Sequence, residues 1–197
     1  SLLRGYWRLV KSPRFLALVL ASGIPFNGMF LYVLSTPVFL GEHLKLEPQQ
    51  FFWFFVLTIG GIMAGSWLSG RLAGRILPRH QVRHGLVIML AVSLANVALN
   101  LLFEPAAWWA MLPIALYAFG WALMVPSVTL MVLDQAPDRR GMASSVQACI
   151  GSLANAAVAG IVVPLVMHST QALAFTSLAM LGIGLGAWLW VKPRLPR

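Results

Sequence analysis

Few residues of this chain could do chemistry: four histidines, five carboxylates and one cysteine among 197 residues. A hydrolase acting within a membrane needs a nucleophilic serine in a glycine-flanked turn with a histidine in reach. Ser69, in "WLSGR", has Trp67 where such a turn wants glycine. His43, His80, His84 and His168 stand at or beyond the ends of the apolar stretches, and no Asp or Glu lies inside one to pair with them. With the third helix read from His84, no two His, Cys or carboxylate side chains fall at ligand spacing on one helix, so no metal site is expected. The residues argue against an enzyme and against a bound cofactor. Cys149, alone, allows no internal disulfide and reads as a small packing residue.

The elements that carry these residues explain their scarcity. The chain is 59% hydrophobic and only 10% charged. Crossing about 30 Å of hydrocarbon takes roughly 20 helical residues. Six stretches meet that length, at about Phe15–Leu40, Gln49–Leu72, His84–Phe103, Trp108–Leu133, Met142–Met167 and Ala172–Val191. The expected fold is therefore an all-α membrane protein forming one six-helix domain, with the lipid bilayer as its first partner.

The net charge of +9 would also suit a nucleic-acid binder, and the positions of the charges decide between the two. Arg4, Arg8, Lys11 and Arg14 precede the first span, and Arg71, Arg75, Arg79 and Arg83 separate the second from the third. Arg139 and Arg140 separate the fourth from the fifth, and Lys192, Arg194 and Arg197 follow the sixth. All of these fall on one side of the membrane, and only Lys45 falls on the other. By the positive-inside rule, both ends of the segment are expected in the cytoplasm. Spans separate the basic clusters, so they do not build the single surface that nucleic acid requires. The chain opens on Ser1 without an initiator Met or a signal-peptide pattern and reads as part of a longer polypeptide.

Small residues recur at four-residue spacing in three spans: Gly61, Gly65, Ser69 and Ala73 in the second; Ser144, Ala148, Ser152, Ala156 and Gly160 in the fifth; Gly182 and Gly186 in the sixth. Such spacing lets helix backbones approach closely in lipid, which predicts packing helices. The first and fourth spans instead carry internal prolines, Pro25 and Pro37 in one, Pro113 and Pro126 in the other. Proline is common in membrane helices, but the near-equal spacing also predicts a three-plus-three repeat whose equivalent helices run in opposite directions.

Within the spans the polar residues are neutral. Asn27, Phe30, Tyr32, Tyr117, Trp121 and Gln147 lie on the proline-bearing spans and the small-rich fifth, and are expected to line a substrate cavity. Asn96, Asn100 and Asn155 are expected to hydrogen-bond between helices. An aromatic wall with a few amides suits a small lipophilic substrate. The tryptophans near span ends, Trp108, Trp109, Trp188 and Trp190, are expected in the interfacial belt.

Three stretches carry a family resemblance. "GSWLSGRLAGRILPRHQVRHG" resembles the cytoplasmic signature loop of the major facilitator superfamily, with Gly65, Arg71 and Arg75 at matching positions and Gly70 where the usual Asp stands. "PRFLALVLASGIPFNGMFLYVLSTPVFLGEHLKLEPQQFFWFF" and "PSVTLMVLDQAPDRRGMASSVQACIGSLANAAVAGIVVPL" resemble segments of its Bcr/CflA-type drug-resistance branch. The resemblance covers the whole chain and implies helices seven to twelve of a twelve-helix exporter in the bacterial inner membrane. It implies the proton gradient as driving force, a six-helix half upstream, proton-carrying acids mainly in that half, and a gating role for Arg71 and Arg75. The rivals are an importer or permease of the same fold, and a six-span scaffold protein that moves nothing.

Overall fold

A computed structural model describes residues 1–197, and its regular structure is all helical, apart from a single bridge pairing Ala73 with Ile76. A short helix, α1 (Leu2–Lys11), leads into α2 (Pro13–Leu34). The break between them is set by "KSPR". Ser12 accepts a hydrogen bond from the Phe15 N–H at 3.4 Å, and Pro13 opens the new helix where its missing N–H costs nothing. There follow α3 (Phe52–Leu72), α4 (Pro78–Leu102), a single turn α5 (Ala107–Ala110), α6 (Leu112–Asp134), α7 (Arg140–Ala157), its continuation α8 (Val163–Val166) and α9 (Thr170–Val191). Ser169 caps α9 by accepting from the Ala172 N–H at 3.2 Å. Counting α5–α6 and α7–α8 as continuous, six helices are long and apolar enough to cross a membrane, as the hydropathy predicts.

Two boundaries differ from expectation. The α-helical geometry of α2 stops at Leu34, and a wider π-helical stretch, Pro37–His43, carries the chain onward. There Ser35 Oγ donates to the Leu31 carbonyl and Thr36 Oγ1 to that of Val33, both at 2.6 Å, while Pro37 has no N–H to give. The third helix starts at Pro78, six residues before His84, because a proline in the first turn and the Arg and Gln side chains after it are compatible with helix. His80 and His84 thus do share one helix, a turn apart and both exposed, though no third His, Cys, Asp or Glu joins them as a ligand set.

The packing repeats itself. All the main contacts run between the two halves: α2 packs on α9 as α6 packs on α4; α3 lies against α6 as α7 lies against α2; α2 meets α6 and α4 meets α9. Exchanging α2, α3 and α4 for α6, α7 and α9 maps this pattern onto itself. Each unit has three crossings, so equivalent helices are inverted, giving the three-plus-three arrangement.

Glycines set the close approaches. Side chains at Gly61 and Gly65 of α3 would run into the carbonyls of Ala115 and Phe119 on α6. Gly85 of α4 faces Gly120 and Met124 of α6. On α9 the contact is made by Gly184 against the ring of Pro25, whereas Gly182 and Gly186 face open space. The four-residue pattern therefore misses the glycine that packs. Ser144, Ala148 and Ser152 are likewise exposed on the outer side of α7. Trp188 does not face outward as a belt residue would: it is 2% exposed and packs in the core, while Trp108 is 86% exposed.

Candidate functional site

Helices α2, α6 and α7 border an open cleft of about 250 Å³. Trp121 of α6 forms its head, with the indole N–H donating to the Ser22 carbonyl of α2 at 3.1 Å. Phe26 packs against that indole with ring centroids 5.1 Å apart, and Phe30 stacks on Phe26 at 5.2 Å. Gln147, Gly151 and Asn155 of α7 form the facing wall, and Val19, Gly23 and Val125 complete the lining. The lining carries no ionisable group. Such a surface can hold an apolar or aromatic molecule and offer it amide hydrogen bonds, while its one hydroxyl, that of Ser22, donates to the Val19 carbonyl at 3.3 Å.

Of the six residues expected on the cavity wall, the cleft brings together Trp121 and Gln147, with Phe30 reaching it through Phe26. The other three lie inside the bundle. Tyr117 donates to the Pro25 carbonyl at 2.5 Å. Tyr32 accepts from Asn96 Nδ2 at 3.0 Å. Asn27 is fully buried and donates to the Gly23 carbonyl at 3.0 Å, while its Oδ1 is left without a partner. The other helices cover Asn27 and Leu31, one turn apart, and Tyr32, about 100° further round from Leu31, whereas Ser22, Gly23 and Phe26 border the cleft toward α7.

Asn96 joins α4 to α2 through Tyr32, and Asn100 extends the chain of bonds by donating to the Asn96 carbonyl at 2.7 Å and to Asn96 Oδ1 at 3.0 Å. Asn155, expected in such a network, instead lines the cleft. Sequence reading also passed over Ser22, Phe26 and Gly151. Ser22, Gly23 and Phe26 are spaced as neighbours on one helix face, a signal visible only once a face has been chosen.

At the arginine-rich end, Gln81 of α4 is buried and donates to Ser69 Oγ of α3 at 2.5 Å and to the Leu123 carbonyl of α6 at 2.9 Å. Beside it a groove of about 430 Å³ runs between the turn at Gly74 and the end of α6, lined by Arg75, Pro78, Pro126 and Ser127 among others. Gly74 has φ +78°, a value suited to glycine. Arg71 is exposed with its guanidinium 5.4 Å from the Trp67 ring. Arg79 donates to the carbonyls of Leu195 and Pro196 at 2.9 and 2.8 Å, so the α3–α4 connector and the end of the chain lie at the same end of the bundle.

A bundle of six membrane-crossing helices in an inverted three-plus-three arrangement, with an uncharged cleft between α2, α6 and α7, has the architecture of one six-helix unit of a membrane transport fold. The model of the Major Facilitator Superfamily matches residues 1–159, and the chain belongs to that superfamily as a multi-pass membrane protein. It is 23% identical over 137 residues to the "Uncharacterized MFS-type transporter YdgK" of Bacillus subtilis (strain 168), a match covering 70% of this chain and 34% of that protein. It is 26% identical over 129 residues to the "Multidrug resistance protein MdtM" of Salmonella typhimurium (strain LT2), covering 65% and 31%. The chain thus spans about a third of the length of these relatives.

Proposed function

We propose that this chain is the C-terminal half, helices seven to twelve, of a Bcr/CflA-type exporter that expels small lipophilic or amphipathic molecules in exchange for protons. The cleft between α2, α6 and α7 carries the reading. It combines an aromatic head, Trp121 with Phe26, and two amides, Gln147 and Asn155, with no charged side chain, which fits a lipophilic molecule of variable shape better than a sugar or amino acid. The multidrug name of one relative supports the same substrate class. α7 leaves most of its surface uncovered, which suits a helix that meets an upstream six-helix half. Alternating access then consists of one half rocking against the other around the cleft.

No carboxylate lies in the middle of a span of this half, Asp134 standing at the very end of α6, so the proton-carrying acids are assigned to the upstream half. The cytoplasmic face is assigned to the end bearing Arg71 and Arg75, and the membrane to the bacterial inner membrane. Arg75, lining the groove beside the end of α6, and Arg71 near it are assigned a latching role that closes this face by contact with the upstream half.

The test is accumulation of fluorescent lipophilic dyes in cells expressing the complete protein, with and without a protonophore. Export predicts lowered accumulation that the protonophore restores. Unchanged accumulation across the dyes at normal protein levels, or accumulation that rises with expression, overturns the reading.

A further inference from the structure

Helix α1 does not cross the membrane and has three separate faces. Gly5 and Leu9 are buried, and Gly5 lies against Arg139 and Met142 at the start of α7, where a side chain would meet both. Leu3, Tyr6, Trp7 and Val10 belong to a second face, with Leu2 beside them, and are 81, 38, 61 and 44% exposed. Arg4, Arg8 and Lys11 make the third, and α1 has no acidic residue. With about 100° between successive residues, the apolar face spans roughly 140° and the basic one roughly 60°. Arg8, at the basic edge nearest the protein, lines a pocket beside Gly5 and Leu9 that also holds Asp138, while Arg4 and Lys11 lie further round. Lys11 Nζ stands 4.6 Å over the Trp7 ring, joining the two edges.

We infer that α1 lies in the membrane interface and binds an anionic phospholipid surface. Its apolar face enters the acyl region, and its basic rim engages headgroup phosphates. A short helix presenting this much apolar surface beside a basic stripe has the composition of an interfacial helix. Charge complementarity selects the occupant. Arg14 follows one turn later, and the connectors and chain end on the same side of the bundle add further arginines, so the surface that suits α1 is a negative one. The inference needs only the six spans and is independent of what is transported.

The complete protein, reconstituted in phosphatidylcholine vesicles with and without phosphatidylglycerol, tests it. Spin labels introduced by Leu3→Cys and Arg4→Cys, in a background without other cysteines, should differ. The first should be reached by oxygen and not by a water-soluble nickel chelate, and the second by the chelate. Quenching of Trp7, taken as the difference from Trp7→Phe, should be about two- to fivefold stronger with brominated phosphatidylglycerol than with brominated phosphatidylcholine. The variant Arg4→Gln, Arg8→Gln, Lys11→Gln should lose that preference. Should the variant not fold, high salt on the unaltered protein should remove the preference by screening. A label at residue 3 open to the chelate means water covers the face, and one shut off from both reagents means protein covers it. Either result overturns the proposal, as does equal quenching by the two lipids in the unaltered protein.

Discussion

Trp121 on α6 donates its indole N–H to the Ser22 carbonyl on α2 at 3.1 Å, and that bond joins the two proline-bearing helices at the head of the cleft. Both helices carry a proline within them, Pro25 and Pro126, so this is a contact between the equivalent elements of the two repeat units. A side chain there touches the cleft on one side and the helix pair on the other.

Trp121→Ala should therefore alter which compounds the complete transporter moves, by roughly tenfold for the most affected, with a smaller loss of protein. Trp121→Phe keeps a ring against Phe26 and loses only the bond to Ser22, costing about 0.5–1.5 kcal/mol of stability. Gln147→Ala should change the compound profile alone, since the side chain faces the cleft. Inhibitory concentrations for a compound panel, normalised to protein level, check all three. An unchanged profile for Trp121→Ala and Gln147→Ala would remove the cleft from the substrate path.

Glycine substitutions should sort by face. Gly65→Leu drives a side chain into the Phe119 carbonyl and Ala122, and should abolish assembly. Gly184→Ala, against the Pro25 ring, should cost about 1–3 kcal/mol by overpacking. Gly182→Ala and Gly186→Ala, which meet nothing within 4 Å, should be neutral or stabilising by up to about 1 kcal/mol. Thermal denaturation in detergent separates these outcomes. Equal effects at 182 and 184 would contradict the packing.

Gln81→Leu leaves the Ser69 hydroxyl and Leu123 carbonyl without their buried donor and should cost about 1–3 kcal/mol. Gln81→Glu should be no better, because an ionised carboxylate cannot donate to either group and is costly to bury. Hydrogen exchange at the ends of α3 and α4 should rise in both variants, and unaltered exchange would count against the three-helix tie.

A double-mutant cycle with Tyr32→Phe and Asn96→Leu should give a coupling of about 0.6 kcal/mol, up to about 1.7, the range for buried hydrogen bonds between membrane helices. Additive losses would mean that each side chain finds another partner when the first is removed.

The number of membrane-crossing helices follows from the sequence alone, because apolar runs of sufficient length are interrupted by Pro, Gly and basic connectors, and hydrocarbon thickness sets the length. So does the gathering of the basic residues at one end, since alternate connectors of a six-span chain lie on the same side. The confinement of charge to the ends of the spans also follows, and with it the neutral chemistry of any site at their middle. The tertiary structure alone decided which face of each helix is buried. In water, apolar residues mark the inner face; in lipid both faces are apolar, and periodicity no longer reports which one is covered. Hence nothing in the sequence separated Gly184 from Gly182 and Gly186, or put Trp188 in the core and Trp190 at the surface. For the same reason the amides and tyrosines could be listed but not sorted. Asn96 and Tyr32 meet each other and Gln147 meets the cleft because of how α2, α4, α6 and α7 cross, which for α2, α4 and α6 includes close approaches at Gly28, Gly85 and Gly120.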